Sequence, residues 1–120
     1  MFGIGARTRI FLACGATDMR KGFNGLYAMV QHQLKGEPLG GDLYIFSNRK
    51  RDCLKIFVYD GTGIWVCAKR LERGTFRWPR PSESSLEMNR AELQMLLSGI
   101  EFAGTKKREN WWSNPQKKYD

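Results

Sequence analysis

Apolar positions along this 120-residue chain repeat with two different periods, and the switches between them mark out the elements. Thr8 to Cys14, TRIFLAC, is a short branched and aromatic run that stops at Gly15, which predicts a first strand closed by a turn. In the following GATDMRKGFNGLYAMVQHQL, residues Met19, Phe23, Leu26, Val30 and Leu34 recur at steps of four, three, four and four, the spacing of one helix face. Thr17 or Asp18 is placed to cap that helix, and Gly36 with Pro38 to stop it. Gly22 and Gly25 fall inside it, each costing about 1 kcal/mol relative to Ala. With Ala28 they predict a stripe of close approach to a sheet.

The period then changes to two. Leu43 to Ser47, Cys53 to Tyr59 and Ile64 to Leu71 read as three strands of an antiparallel meander. Their connections are Asn48 to Asp52, which Asn48 and Asp52 can close through side-chain bonds, and Asp60-Gly61-Thr62-Gly63, whose Asp-Gly is a strong hairpin signal. Leu54, Ile56 and Val58 alternate with Phe57 and Tyr59, so both sheet faces carry apolar groups and both must be covered. Thr75 to Pro79 reads as a short extended piece, Arg80 to Leu86 as a loop, and Asn89 with Glu92 as the capping box of a second helix. That helix presents Leu93, Leu96, Leu97 and Ile100.

Composition adds to this picture chiefly through charge. The formal net charge is +8, and Phe46 to Pro79 holds eight Lys or Arg against three acids, so this stretch alone contributes +5. Such a field attracts anionic partners. Arg49, Lys50 and Arg51 ride on one turn; Lys69, Arg70, Arg73 and Arg77 lie on the outgoing strand and the next turn, with Trp65, Phe76 and Trp78 interleaved. Cations that neutralise phosphate beside rings that can stack on bases are the chemistry of nucleic-acid binding, with Trp78 or Trp65 as the stacking ring. A solvated charged turn and a core tryptophan are the plainer reading of the same residues.

Other classes lose ground. Cys14, Cys53 and Cys67 are odd in number and lack metal-ligand spacing, and His32 is the single histidine, so neither a disulfide framework nor a metal site is predicted, and a reducing, cytoplasmic setting is expected. No apolar run approaches the roughly 18 residues that a membrane helix needs. No nucleophile-and-base set, dinucleotide fingerprint or phosphate loop is present, so no enzymatic activity and no cofactor is expected. Near the C-terminus, Lys106, Lys107, Arg108, Lys117 and Lys118 flank Trp111 and Trp112, a pair suited to burial against a partner.

Three segments carry a resemblance. GATDMRKGFNGL, then FSNRKRDCLKIFVYDGTGIWVCAKRLERGTFRWP, then the LLSGI run ending at Glu101 resemble the small TnpB-type accessory protein, the second reading frame of insertion sequences of the sixty-six family, over residues 1 to 103. Cys53 and Tyr59 stand where that pattern usually has a basic or large residue and a tryptophan. The resemblance implies an accessory of transposition working beside a larger transposase that carries the acidic strand-transfer site. It supplies no site residues.

The chain therefore reads as one α+β domain over 1–103, ordered β-α-β-β-β-(β)-α, with a meander of three to four strands packed by two helices and a flexible basic tail over 104–120. The expected function is non-enzymatic DNA binding in transposition through Arg49, Lys50, Arg51, Lys69, Arg70, Arg73, Arg77 and Trp78. The alternative is a module that docks on the larger transposase without touching DNA, anchored by the aromatic sheet face and by Trp111 and Trp112. Self-association is left open.

Overall fold

The computed structural model describes residues 5, 7–80 and 83–98. Within them five strands form one mixed sheet: β1 Ile10–Ala16, β2 Leu43–Ser47, β3 Cys53–Tyr59, β4 Ile64–Arg70 and β5 Ser85–Met88, in the spatial order β4-β3-β2-β1-β5. β2 lies at the centre, which is why all five of its residues are buried. The meander β2-β3-β4 is antiparallel, as its turn chemistry predicts, whereas β1 joins β2 in parallel. A parallel neighbour needs a crossover, and α1, Phe23–Ala28, continued by a π-helical segment Met29–Gln33, supplies it.

Both faces are covered. Ile10, Leu12, Cys14, Leu43, Ile45, Leu54, Ile56 and Val58 meet Phe76, Met88 and the Leu93 and Leu96 side of α2, Arg90–Ser98. On the other face Ala13, Tyr44, Phe46 and Phe57 meet Leu26 and Val30 of the crossover. The expected alternation in β3 is thus realised, with Leu54, Ile56 and Val58 in one cluster and Phe57 in the other. α2 starts as expected: Asn89 Oδ1 accepts from the Glu92 amide at 2.8 Å, and Glu92 Oε1 from the Asn89 amide at 2.9 Å.

Four expectations are corrected. First, the crossover helix begins at Phe23, not near Met19, and its N-cap is Gly22 without a side-chain cap. Asp18 instead closes a turn, accepting from the Arg20 amide and guanidinium while its carbonyl accepts from the Lys21 amide. Phe23, expected on the buried face, is 56% exposed in consequence. Second, the close approach falls elsewhere than on the sheet beneath Gly22 and Gly25. A Cβ on Gly25 would meet the Lys21 side chain first, whereas one on Gly36 would collide with the Tyr44 ring. Third, the piece Thr75 to Pro79 joins no ladder; it is held by buried Phe76. Fourth, the end of the expected loop is β5, whose Leu86 lies opposite Leu12 and Met88 opposite Ile10. The expected tail, with Trp111 and Trp112, and the Ile100 end of the second helix lie outside the described residues. Among the described residues no helix is long and apolar enough to cross a membrane.

Candidate nucleic-acid interface

Strand directions decide where the charges go. β1 and β2 run parallel, β3 returns, β4 runs out again and β5 opposes β1. One end of the sheet therefore collects the exits of β1, β2 and β4 and the entry of β3. Turn 48–52 and turn 71–75 meet there, with the Leu71 amide donating to the Asp52 carbonyl at 2.8 Å and the Phe76 amide to the Arg51 carbonyl at 2.7 Å. The loop after β1 joins them, with the Thr17 amide donating to the Ser47 carbonyl at 2.7 Å.

Turn 48–52 is closed as expected from its sequence. Asn48 Oδ1 accepts from the amides of Asp52 and Cys53, and its Nδ2 donates to Asp52 Oδ1 at 2.7 Å. That bond, more than any other contact, holds the Asp52 carboxyl below its usual range. Arg49 and Lys50 stand exposed at the tip, and Arg73 is exposed on the neighbouring turn. Arg70 is opposite Cys53 at the start of β3, in an exposed ion pair with Glu72 at 3.3 Å. Such a surface pair is worth about 0–1 kcal/mol and leaves Arg70 available to a phosphate.

Arg51 and Trp78 are arranged differently from their neighbours. Arg51 has φ 62 and its guanidinium turns inward, Nη2 donating to the Cys14 carbonyl at 3.1 Å and Cζ lying 5.2 Å from the centre of the Trp78 ring. Trp78 Nε1 donates to the Ala13 carbonyl at 2.9 Å. Both are partly buried, and burial lowers the Arg51 pKa from the usual guanidinium value. They brace the end of the sheet from below. Arg77, between Phe76 and Trp78, is half-buried.

The remaining candidates separate by face. Lys69 shares a face with Leu54 and Cys67, and its Nζ donates to the Leu97 carbonyl in the last turn of α2 at 2.6 Å, a favourable place for a cation. Arg70, one residue on, faces the crossover side. Trp65 sits four pairs back from Lys69, toward the Asp60 hairpin, where its Nε1 donates to Asp60 Oδ2 at 2.7 Å. The cationic end thus holds Arg49, Lys50, Arg70 and Arg73 in the open, Lys69 beside it, and no exposed tryptophan among its described residues. Two cations join it that charge counting within Phe46 to Pro79 leaves out: Arg20, whose side chain is 92% exposed, and Lys21, whose carbonyl accepts from Lys55 Nζ at 2.9 Å. Only the parallel placement of β1 beside β2 brings them there.

No described group of three or more His, Cys, Asp or Glu could hold a metal ion. Fold and site together define a small mixed-sheet domain with a cationic end built from loops. A family model described as "IS66 Orf2 like protein" matches residues 8–107, and the chain belongs to that family of transposition-associated accessory proteins. Two uncharacterised proteins of Sinorhizobium fredii are similar to it: y4hO, 41% identical over 85% of this chain and 89% of its own length, and y4jC, 32% identical over 90% and 92%. No solved structure matches.

Proposed function

We propose that the cationic end of the sheet binds DNA phosphates during transposition, in the service of the larger transposase and without chemistry of its own. The observation that supports this is the backbone bonding of turn 48–52 to turn 71–75, which brings the positions of Arg49, Lys50, Arg70 and Arg73 to one end of the sheet, where the loop after β1 carries Arg20 and Lys21. Lys69 and Arg77 flank it. Arg51 and Trp78 act in this reading through the framework: they fix the turn that carries Arg49 and Lys50.

Because phosphate contacts release counterions, the logarithm of affinity for duplex DNA should fall with the logarithm of salt at a slope of about −0.9 per contact. Replacing Arg49 and Lys50 together by Ala should therefore flatten the slope by roughly 2. Binding that is undetectable at low salt would end the proposal, as would a slope indifferent to these residues.

A further inference from the structure

Neither tryptophan of the central stretch can stack on a base at the basic end: Trp78 is braced by Arg51 and the Ala13 carbonyl, and Trp65 stands at the far hairpin on the Asp60 carboxylate. Among the described residues, the aromatic side chain left open there is Phe23, the first residue of α1, 56% exposed.

Two contacts fix its position. The Lys21 carbonyl, two residues upstream, accepts from Lys55 Nζ at 2.9 Å, which pins the start of α1 over β3. Tyr27, four residues downstream and so on the same side of the helix, meets the Phe57 ring edge-on at 6.3 Å. Phe23 therefore leaves α1 one turn nearer the basic end than Tyr27, over the face of β3 that carries Cys53 and Lys55. On that face β4 sets Ala68 opposite Lys55 and Arg70 opposite Cys53, both exposed. Beneath Tyr27 the sheet offers Phe57 and Val66, and that ring is packed. One turn on it offers two cations and a methyl group, so folding leaves Phe23 uncovered.

A single exposed apolar side chain needs no explanation in itself. The charges around this one give it a meaning. Arg20, Lys21, Lys55 and Arg70 stand at the same end, and the acids beside them, Asp18 and Glu72, are already in ion pairs with Arg20 and Arg70. Lys55 Nζ keeps further N–H groups to donate. Phe23 has no ring or cation partner among the described residues. An apolar partner surface closing on this ring would have to desolvate the cations, whereas a nucleotide meets the ring with its base and the cations with its phosphate.

We propose that Phe23 stacks on an unpaired base while the neighbouring cations hold the flanking phosphates, so that this end of the sheet engages single-stranded DNA. The inference rests on the phosphate-binding reading above and adds the form of the DNA. In a closed duplex the base faces are taken up by their neighbours; an unpaired strand presents them.

The experiment titrates the full chain, by fluorescence anisotropy at low salt, into a short polythymidine strand and into a duplex of equal length. Phe23→Ala should weaken single-strand binding by about 5- to 150-fold, the worth of one stacked base, while duplex affinity and both salt slopes stay unchanged. Phe23→Leu, which keeps apolar bulk without a ring face, should lose as much, and Phe23→Trp should retain the affinity. A 2-aminopurine base in the strand should be quenched by the wild type and by Phe23→Trp but not by Phe23→Ala. Single-strand affinity unchanged in Phe23→Ala, or an equal loss on both forms of DNA, would overturn this inference and leave the phosphate reading standing. Absence of binding to either form would overturn both. A Phe23→Ala chain that holds single strands like the wild type but no longer binds the larger transposase would assign the ring to a protein contact instead.

Discussion

Replacing Arg51 separates its framework role from any direct contact with DNA. Truncation to Ala removes a charged hydrogen bond to the Cys14 carbonyl, worth about 1.5–3 kcal/mol, and a cation–π contact worth about 0.5–2 kcal/mol. Against this, Nη1 of Arg51 is buried without a partner, and removing such a group relieves about 1–3 kcal/mol. The net cost of Arg51→Ala should be about 1–2 kcal/mol. Gly at the same position would lose the same contacts but relieve the left-handed backbone at φ 62, for which Ala is penalised by about 1–2 kcal/mol. Arg51→Gly should accordingly be the more stable of the two by roughly 1 kcal/mol. Urea unfolding followed by circular dichroism gives both midpoints, and DNA affinity measured on the still-folded variants should change less than in Arg49→Ala. Equal midpoints for Ala and Gly would refute the backbone part of this reasoning. An affinity loss in Arg51→Ala matching that of Arg49→Ala would show that the guanidinium leaves Trp78 to bind phosphate.

Three further outcomes are expected. Asn89→Ala should cost about 1 kcal/mol through loss of the reciprocal cap of α2, read as a lower urea midpoint. Gly36→Ala should cost about 1–3 kcal/mol, because the new methyl group meets Tyr44 ring carbons at 2.8–2.9 Å, and thermal unfolding measures it. The Asp60 carboxyl is held well below its usual range, first by the Thr62 amide and then by Trp65 Nε1, the Gly63 amide and the Thr62 hydroxyl. A depressed folded pKa means that its contribution to stability is complete above the ordinary carboxylate value of about 4 and is lost as pH falls toward the folded value. Trp65 fluorescence in acid should therefore shift in wild type at a pH where Asp60→Asn shows no transition.

Sequence reading succeeded where local chemistry was decisive. Leu43–Ser47 and Cys53–Tyr59 are branched and aromatic runs with a turn on each side, and their boundaries could be read directly. The capping box at Asn89 and the closure of turn 48–52 are contacts spanning at most five residues, and they too were legible. β5 was not, because four residues with Ser85 and Glu87 interposed become a strand only through β1, far upstream. The start of the crossover was misplaced because Asp18, a good cap by type, is drawn off by Arg20. For the candidate site, the charges were legible but their arrangement was not. Lys69 and Arg70 look alike in sequence and face opposite sides, while Arg20 and Lys21 reach the basic end only through strand order. The inward turn of Arg51 depends on Trp78, whose position depends in turn on the Ala13 carbonyl of β1.

The bonds that join the turns at the basic end run from main chain to main chain. Side chains at Arg49, Lys50 and Arg73 can therefore be exchanged without altering the spacing of the positions that hold them. Charge at this surface is a free variable of the fold: related chains could strengthen, weaken or redirect their attraction for a polyanion by single substitutions, with no loss of stability. The same decoupling lets any one of the three carry a dye or cross-linker without altering the backbone of the turns, while the other two keep their charge.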